Sequence, residues 1–332
     1  MDRHAIITGG AGFIGSHVVD LLLAEGGWQV TVVDNFDPFY PRPVKEANIA
    51  QHRNNSAFEL VEGNILDAAV MHRAFARSAG KAPVVLHFAA KTGVRPSMAD
   101  PLGYHRVNTT GTLKLLEHAR EAAASHFILA SSSSVYGEAP DAPWHEDITA
   151  LHPISPYAAS KIAAEEFLQV HARLHGMCAT VLRFFTAHGP RQRPDLAIHA
   201  FFRSIEEGIP LRQFGDGSSS RDYTYVSDIA RGVRAAIDRD ASGAKDGKAF
   251  EIFNLGNSHA TALLELIAAC EQQLGRNAVI DRQPSQAGDV PHTCADITKA
   301  GAQLGYAPDT SLSEGLQQFH IWYASIRPIR AV

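Results

Sequence analysis

Short apolar segments alternate with longer segments of helical periodicity along the first half of the chain. The apolar segments predict strands at residues 5–8, 29–33, 58–62, 84–88, 126–131 and 180–184. The periodic segments predict helices at residues 16–25, 44–51, 68–77, 102–121 and 157–175. This alternation predicts an α/β fold, a Rossmann-type doubly wound parallel sheet with helices on both faces and ligands at the carboxyl ends of its strands.

The pattern changes after Phe185, where polar and turn-rich stretches replace the regular alternation. We therefore expect residues 1–185 to form the first domain and residues 186–332 a smaller, mixed α/β C-terminal substrate domain. Residues 225–255 are expected to return to the first domain. Helices are predicted at 197–207, 261–274 and 316–323, the last one after a capping box formed by Ser311 and Glu314.

A glycine-rich turn joins the first strand to the first helix. Its glycines, Gly9, Gly12 and Gly15, enclose Phe13 and Ile14. Glycines at this spacing let the backbone approach a pyrophosphate, which the helix N-terminus then binds. Asp34 ends the second strand, where a carboxylate can accept hydrogen bonds from the adenosine ribose, and Asn35 comes next instead of an arginine. The sequence therefore predicts NAD rather than NADP.

Further cofactor contacts are expected where later strands end and on the helix beside them. The predicted residues are Asn64, Ile65, Phe88, Ala89, Ala90, Asn108 and Phe184. Asn64 and Ile65 are placed next to the adenine, and the small side chains of Ala89 and Ala90 would let the cofactor lie close to the sheet.

Tyr157 and Lys161 are four residues apart and so share one face of their helix. An ammonium group close to a phenol favours the ionised phenol, which makes a base that works near neutral pH. The spacing is weak evidence by itself. Its combination with the glycine-rich turn and with the serine-rich strand end at residues 131–134 is specific.

Composition narrows the class of ligand and the location. The net charge of −5 over 332 residues, without a basic stripe, predicts no nucleic-acid partner. Cys178, Cys270 and Cys294 are odd in number and far apart, which argues against a disulfide framework and favours a reducing cytoplasm. The early first strand and the lack of a long apolar run predict no signal peptide and no membrane span.

Two histidines at helical spacing raise the question of a metal. His171 and His175 lie four residues apart, but the glutamate of a His-Glu-x-x-His site is missing and no third ligand is evident. We therefore expect no metal.

The motifs together resemble the extended short-chain dehydrogenase/reductases that act as nucleotide-sugar epimerases and dehydratases, and most closely the UDP-glucuronate 4-epimerases. The matching stretches are Thr-Gly-Gly-Ala-Gly-Phe-Ile-Gly-Ser-His at 8–17, Gly-Val-Arg-Pro-Ser at 93–97, Ser-Ser-Ser-Val-Tyr-Gly at 132–137, Ser-Pro-Tyr-Ala-Ala-Ser-Lys at 155–161, Leu-Arg-Phe-Phe-Thr at 182–186, Arg-Gln-Arg-Pro-Asp at 191–195 and Gly-Asp-Val-Pro at 288–291. One departure is Ala187-His188 where the family usually has Val-Tyr.

The resemblance implies a bound NAD that takes a hydride from C4 of a UDP-sugar while Tyr157, aided by Ser132, removes the proton of the C4 hydroxyl. Lys161 would hold the nicotinamide ribose. Arg95, Arg221 and Asp289 would face the UDP. A homodimer is implied, with the helices at 102–121 and 157–175 forming a four-helix bundle; the apolar residues Val107, Leu115, Ile162 and Phe167 are compatible with it and also with packing on the sheet.

The two residues after Ser132 narrow the reaction. The related dehydratases carry an Asp-Glu pair there, and decarboxylases carry a glutamate at the position of Ser134, whereas this chain has Ser133 and Ser134. Serines cannot supply that acid-base chemistry, so epimerisation without chemistry at C6 is favoured. Arg193, with Thr186, Ser133 and Ser134, is then expected to hold the C6 carboxylate of UDP-glucuronate. Alternatives are a UDP-glucose or UDP-N-acetylhexosamine 4-epimerase, and an inactive NAD-sensing protein, which would commonly have lost Tyr157 or Lys161.

Overall fold

The computed structural model describes residues 3–78, 80–139, 142–239, 250–284, 288 and 290–326. Its strands, in chain order, are β1 (Arg3–Thr8), β2 (Trp28–Asp34), β3 (Phe58–Glu62), β4 (Val84–His87), β5 (His126–Ser132), β6 (Cys178–Phe184), β7 (Thr186–His188), β8 (Leu211–Phe214), β9 (Ser220–Tyr225), β10 (Phe250–Leu255), β11 (Ala260–Ala262) and β12 (Ile280–Gln283).

The α-helices are α1 (Phe13–Glu25), α2 (Arg42–Ile49), α3 (Ala68–Ala76), α4 (Val94–Ala99), α5 (Pro101–Tyr104), α6 (Gly111–Glu121), α7 (Pro156–His175), α8 (Ala197–Glu207), α9 (Val226–Asp238), α10 (Leu263–Leu274), α11 (Thr298–Leu304) and α12 (Leu312–Ser325). Short 3₁₀ segments cover Ala50–His52 and Ser133–Tyr136, and a π segment covers His105–Thr110. None of the described helices is long and apolar enough to cross a membrane.

Seven parallel strands form the central sheet, in the order β10-β6-β5-β4-β1-β2-β3. The predicted doubly wound α/β fold is confirmed. The chain runs outward from β1 to β3 and then crosses to the other side of β1 at β4. The loops at the carboxyl ends of β1 and β4 therefore diverge, which leaves a crevice at that edge of the sheet.

Two apolar layers cover the faces of this sheet. On one face Val18 and Leu22 of α1 pack with Ile229 and Val233 of α9. On the other face α3, α6 and α7 contribute Met71, Leu115 and Leu168, among other residues. The segment after residue 225, expected to return to the first domain, is thus a helix lying over the sheet, and β10 is the sheet's edge strand beside β6.

The remaining elements form a smaller lobe. A three-stranded sheet (β11-β9-β7) and the pair β12-β8 lie with α8, α10 and α12 around a core that includes Phe202, Leu266 and Phe319. The capping box of Ser311 and Glu314 is present at the start of α12. The predicted helix at 261–274 begins two residues later, because residues 260–262 pair with β9 instead.

The helix predicted at 102–121 is interrupted. The π segment His105–Thr110 separates α5 from α6. Within it the side-chain amide of Asn108 accepts a hydrogen bond from the Lys91 backbone N–H and donates one to the Lys91 carbonyl. The backbone carbonyl of Asn108 accepts a hydrogen bond from the Thr112 hydroxyl at 2.6 Å. These bonds fix the wider turn, and π turns of this kind are frequent near functional sites.

Candidate active site

A cavity of about 850 Å³ lies at the carboxyl ends of the central strands. The predicted cofactor residues that line it are Gly9, Gly12, Phe13, Ile14, Gly15, Asp34, Asn35, Asn64, Ile65, Phe88, Ala89, Ala90, Tyr157, Lys161 and Phe184. The predicted substrate residues that line it are Ser132, Ser133, Ser134, Thr186 and Arg193. Residues at or directly after the carboxyl ends of the first six strands therefore meet in one space large enough for a dinucleotide and a sugar nucleotide.

The glycine-rich turn fits closely against the loop after β4. Gly9 has φ +72°, and a Cβ there would lie 2.7 Å from the Ala89 nitrogen. A Cβ on Gly15 would collide with the carbonyl oxygen of Gly9. Both positions therefore require glycine, and the bare backbone they leave is what a pyrophosphate needs for close approach.

Asp34 ties β2 to this turn. Its Oδ2 accepts a hydrogen bond from the Ala11 amide at 3.1 Å, and its Oδ1 accepts one from the Phe36 amide at 2.9 Å. Burial raises the pKa of the carboxyl, and these amides together with nearby Lys45 act in the opposite direction. The carboxylate is thus held in place while it lines the cavity.

Helix α7 presents the tyrosine and the lysine. Its start is fixed by Ser155, whose hydroxyl accepts the Ala158 amide, and by Pro156 in the first turn. Burial raises the pKa of Tyr157, whereas a hydrogen bond with Ser132 and the charge of Arg193 lower it. Burial thus keeps the phenol protonated, and Ser132 and Arg193 are the neighbours that favour its ionised, proton-accepting form.

Lys161 contacts the sheet at this point. Its Nζ donates a hydrogen bond to the Ala130 carbonyl at 2.8 Å. Burial lowers the pKa of Lys161 to about 8, and the Glu165 carboxylate acts against that shift. The lysine is therefore oriented by β5, and in this structure the groups that lower the pKa of Tyr157 are Ser132 and Arg193.

The serines after β5 form a polar turn without an acid. The Ser132 hydroxyl accepts the Ser134 amide at 3.2 Å and donates to the Ser134 hydroxyl at 3.1 Å. Ser132 thereby caps the 3₁₀ segment Ser133–Tyr136. The positions that would carry the acid and base of a dehydratase are hydroxyl groups lining the cavity.

Arg193 reaches the cavity from the segment after β7. Its guanidinium forms a fork with Asp195, at 3.0 and 2.9 Å, and lies 5.7 Å from the centre of the Phe39 ring. The side chain is 18% exposed. Against the effect of burial, the Asp195 carboxylate raises the pKa of Arg193, so the cation is secured beside Tyr157.

Three of the predicted residues do not line the cavity, and a fourth lies outside the described residues. Asn108 is buried behind the residues that line the cavity, and its side chain is hydrogen-bonded to the Lys91 backbone and to the Ser160 hydroxyl. Arg95 lies over the Phe214 ring at 4.8 Å, and Arg221 donates to the Ser220 and Pro291 carbonyls at 2.8 and 3.4 Å. None of these three lines the described cavity. Asp289 lies outside the described residues.

Sequence reasoning missed one wall of the cavity. It comprises Asp37, Phe39, Tyr40 and Lys45 from the segment after β2, and Lys91, Asp100 and Tyr104 from the segment after β4. The Tyr104 hydroxyl donates to the Thr92 carbonyl at 2.6 Å, and its ring meets the Tyr157 ring edge-on at 6.2 Å. The available signal was position, since both segments come directly after strands of the parallel sheet.

The surroundings of His171 and His175 differ from the sequence-based expectation. Glu117 on α6 supplies the third potential ligand that was not evident beside His171 and His175, with the three ligand atoms within 4.8 Å of one another. Arg120 already donates to Glu117 at 3.0 Å, and the absence of a metal stays a prediction.

His188, at the departure from the family pattern, is fully buried between Tyr223 and Tyr225 and faces the small lobe, while Ala187 lines the cavity.

Comparison with known proteins gives consistent matches over the whole length. The family model described as GDP-mannose 4,6 dehydratase matches residues 6–319. A probable UDP-glucuronate 4-epimerase of Rhizobium meliloti (strain 1021) is 34% identical, with 96% of each chain covered. A UDP-glucuronate 4-epimerase of Thermodesulfobacterium geofontis (strain OPF15) is 36% identical, with 96% of this chain and 95% of that protein covered.

One solved structure has a fold very similar to that of this chain. It is the UDP-glucuronic acid 4-epimerase of Bacillus cereus in complex with UDP-glucuronic acid and NAD, with a TM-score of 0.90 and 34% identity. The alignment covers 98% of this chain and 100% of that one.

Proposed function

The chain belongs to the GDP-mannose 4,6 dehydratase family, and we propose that it catalyses the NAD-dependent 4-epimerisation of UDP-glucuronate to UDP-galacturonate through a 4-keto sugar. One observation carries the choice of reaction: beside Tyr157, the cavity wall offers the serines 132–134 and Arg193, with no carboxyl group at positions 133 and 134. The matched epimerases support the same choice of substrate.

The residues at the sheet edge fit a dinucleotide. Gly9 and Gly15 leave room for the pyrophosphate, and the Asp34 carboxylate faces the place expected for the adenosine ribose. When bound, NAD supplies the hydride acceptor for C4 and later the hydride donor for the opposite face of the ketone. Lys161 is proposed to hold the nicotinamide ribose.

Tyr157 is proposed as the base that takes the proton of the C4 hydroxyl. The Ser132 hydroxyl stabilises the ionised phenol by hydrogen bonding, and the positive charge of Arg193 acts in the same direction. Because the same phenol returns the proton after the keto sugar has turned over, one residue serves both halves of the reaction.

Arg193, Thr186 and the hydroxyls of Ser133 and Ser134 are proposed to hold the C6 carboxylate. Oxidation at C4 turns UDP-glucuronate into a β-keto acid, which loses CO₂ when its C5–C6 bond stands perpendicular to the carbonyl plane. Charge-assisted hydrogen bonds to the carboxylate prevent this alignment. Hydroxyl groups can donate such bonds without acting as an acid. We also propose that Arg95, Arg221 and Asp289 face the UDP, which requires the two arginines to turn away from the partners described above.

A substrate panel tests this function. Purified protein is incubated with UDP-glucuronate, UDP-glucose and UDP-N-acetylglucosamine, and the products are separated by chromatography. We expect conversion of UDP-glucuronate to UDP-galacturonate to be fastest, with no UDP-pentose formed. Preference for a neutral hexose would contradict the assignment.

A UDP-glucose 4-epimerase is the second candidate. The observation that favours it is the fork between Arg193 and Asp195, since a carboxylate already neutralises this cation. The same panel separates the two substrates.

Assembly, domain division and location complete the proposal. We propose a homodimer formed through α6 and α7, because Phe167, Val170 and Leu174 form an exposed apolar stripe on α7, at 40, 52 and 71% exposure. Leu115, by contrast, is fully buried against the sheet. Light scattering that gives a monomer at micromolar concentration would exclude the dimer. The division after residue 185 and a cytoplasmic location, consistent with three cysteines that form no disulfide among the described residues, belong to the same proposal.

A further inference from the structure

A buried ion pair lies directly beneath the proposed base. Helix α7 places Tyr157, Lys161 and Glu165 at successive steps of four residues, and therefore on one face. Tyr157 and Lys161 line the cavity. Glu165 lies one turn further along the helix and is only 3% exposed.

The Glu165 carboxylate is fixed from two strands. Its Oε1 accepts the Ser131 hydroxyl of β5 and the Arg183 Nε of β6, the latter at 3.2 Å. Its Oε2 accepts Arg183 Nη2 at 2.7 Å. Since Lys161 binds the carbonyl of Ala130, the lysine and the glutamate hold adjacent residues of the same strand.

Stability alone does not account for such a pair. Arg183 is also only 3% exposed, and removing two charges from water is unfavourable. Well-packed apolar residues of similar volume are often neutral or stabilising in place of a buried ion pair. The pair therefore suggests a role for its charge.

The surroundings of Lys161 indicate that role. Strand β4 contributes His87, whose pKa burial lowers to about 3, so it is neutral at working pH. Strand β6 contributes the Arg183 cation, and Tyr136 of the 3₁₀ segment, whose pKa burial raises to about 12, lies 4.9 Å from that guanidinium. Among the described groups, the carboxylate that acts on Lys161 is Glu165, which opposes the lowering of the lysine pKa by burial.

We propose that Glu165 is a positioning residue of the active site: held by Arg183 and Ser131, it keeps Lys161 charged and fixed at the cavity floor beside Tyr157. The proposal rests on the proposed function, in which Tyr157 must release and regain a proton. Without the carboxylate, Lys161 would lose its proton at lower pH, and the cavity floor beside Tyr157 would lose a positive charge that acts in addition to Ser132 and Arg193.

The first test compares two neighbouring glutamates. Glu165→Gln removes the buried charge, and Glu166→Gln removes an exposed one from the same helix. For Glu165→Gln we expect the alkaline limb of the kcat profile to move down by about one pH unit, with kcat reduced roughly tenfold and KM within about threefold of wild type. Glu166→Gln should match wild type. An alkaline limb that stays in place in Glu165→Gln would overturn the proposal.

A second variant separates charge from folding. The double variant Glu165→Met with Arg183→Met replaces the ion pair by apolar side chains and should recover the thermal stability that Glu165→Gln loses. We expect its alkaline limb to remain shifted. If stability and pH profile both return to wild type, the pair is merely structural. If Glu165→Gln fails to fold, the double variant carries the test.

A third measurement needs no substrate. The titration of Lys161 is followed by NMR in ¹³Cε-lysine-labelled protein, with Lys161→Arg identifying its signal. We expect the pKa of Lys161 to be about one unit lower in the double variant than in wild type, and equal values would overturn the proposal. Absence of epimerase activity in wild type would count against the proposed function instead, and it leaves this titration valid.

Discussion

The two walls of the cavity are held in different ways. The sheet-edge wall comprises residues 9–15, Asp34, residues 131–134 and residues 157–161. Its positions come after strand ends or begin helices, and backbone contacts fix them, as between Gly9 and the loop at Ala89. The loop wall comprises residues 37–45, 91–104 and 186–196.

Side-chain pairs hold the loop wall together. They include the Arg193–Asp195 fork and the ion pair of Lys91 with Asp100 at 2.7 Å. A substitution there can change the ligand that fits without disturbing the sheet. We infer that the sheet-edge wall sets the chemistry, and that the loop wall, together with Ser133 and Ser134, sets the choice of sugar.

The largest expected effect lies in the sheet-edge wall. Tyr157→Phe should lower kcat by about 10²–10⁴, because the general base is lost, while NAD content and UDP-sugar affinity stay nearly unchanged. Initial rates at saturating UDP-glucuronate and the dinucleotide released on denaturation measure both. Tyr104→Phe, across the cavity, is the control and should cost less than about tenfold. Turnover near wild type in Tyr157→Phe would place the base elsewhere.

A selective effect is expected in the loop wall. Arg193→Met should lower activity on UDP-glucuronate roughly ten- to hundredfold more than on UDP-glucose, because a charge-assisted hydrogen bond contributes about 1.5–3 kcal/mol. Release of a UDP-pentose would show that the carboxylate is no longer held. Arg203→Met, an exposed arginine on α8, is the matched control. Equal losses on both sugars would mean that Arg193 only anchors its segment.

The buried histidines behind the two walls differ in their hydrogen bonding. His87, behind the sheet-edge wall, is bonded to the hydroxyls of Thr8 and Thr112 at 2.7 and 2.9 Å. Both ring nitrogens of His188, behind the loop wall, are buried and make no hydrogen bond among the described residues. Burial lowers the pKa of His188 to about 3.

The lowered pKa of His188 predicts that the folded protein loses stability in acid. As pH falls below about 6.5, unfolded chains protonate this imidazole and folded chains do not, so wild type should lose about 2 kcal/mol by pH 5 from His188 alone. In His188→Phe that contribution should disappear, as measured by urea unfolding at pH 7.5 and pH 5. His87→Phe should cost about 1–3 kcal/mol at pH 7.5, because it removes the two buried hydrogen bonds that the ring makes with Thr8 and Thr112. An unchanged pH dependence in His188→Phe would contradict the buried neutral imidazole.

The smallest effect is expected at the ribose end of the sheet-edge wall. Asp34→Asn should weaken NAD binding about tenfold, since one charged acceptor for the ribose hydroxyls is replaced by a neutral one. Calorimetry with NAD on protein freed of cofactor measures it, and Asp67→Asn, an exposed cap of α3, is the control. Unchanged affinity in Asp34→Asn would assign the ribose to another residue, such as Lys45.

Most strands of the main sheet were predicted to within two residues, because fully buried parallel strands are continuous apolar runs. The strands at 186–188, 211–214, 220–225 and 280–283 were not predicted. They are short and partly polar, and pairing within the small lobe decides them rather than local pattern. The π segment at 105–110 was missed for a similar reason, since the Asn108 contacts that fix it come from residue 91.

The sequence by itself determined the fold class, the glycine turn, Asp34 and the Tyr157–Lys161 pair, because each depends on local spacing that any strand-to-helix unit preserves. Tertiary structure alone decided that residues 37–45 meet residues 91–104 in the loop wall, and that Glu165 pairs with Arg183 under Lys161. These features join residues from separate segments, and their energy comes from burial and charge, which exist only once the sheet has brought those segments together.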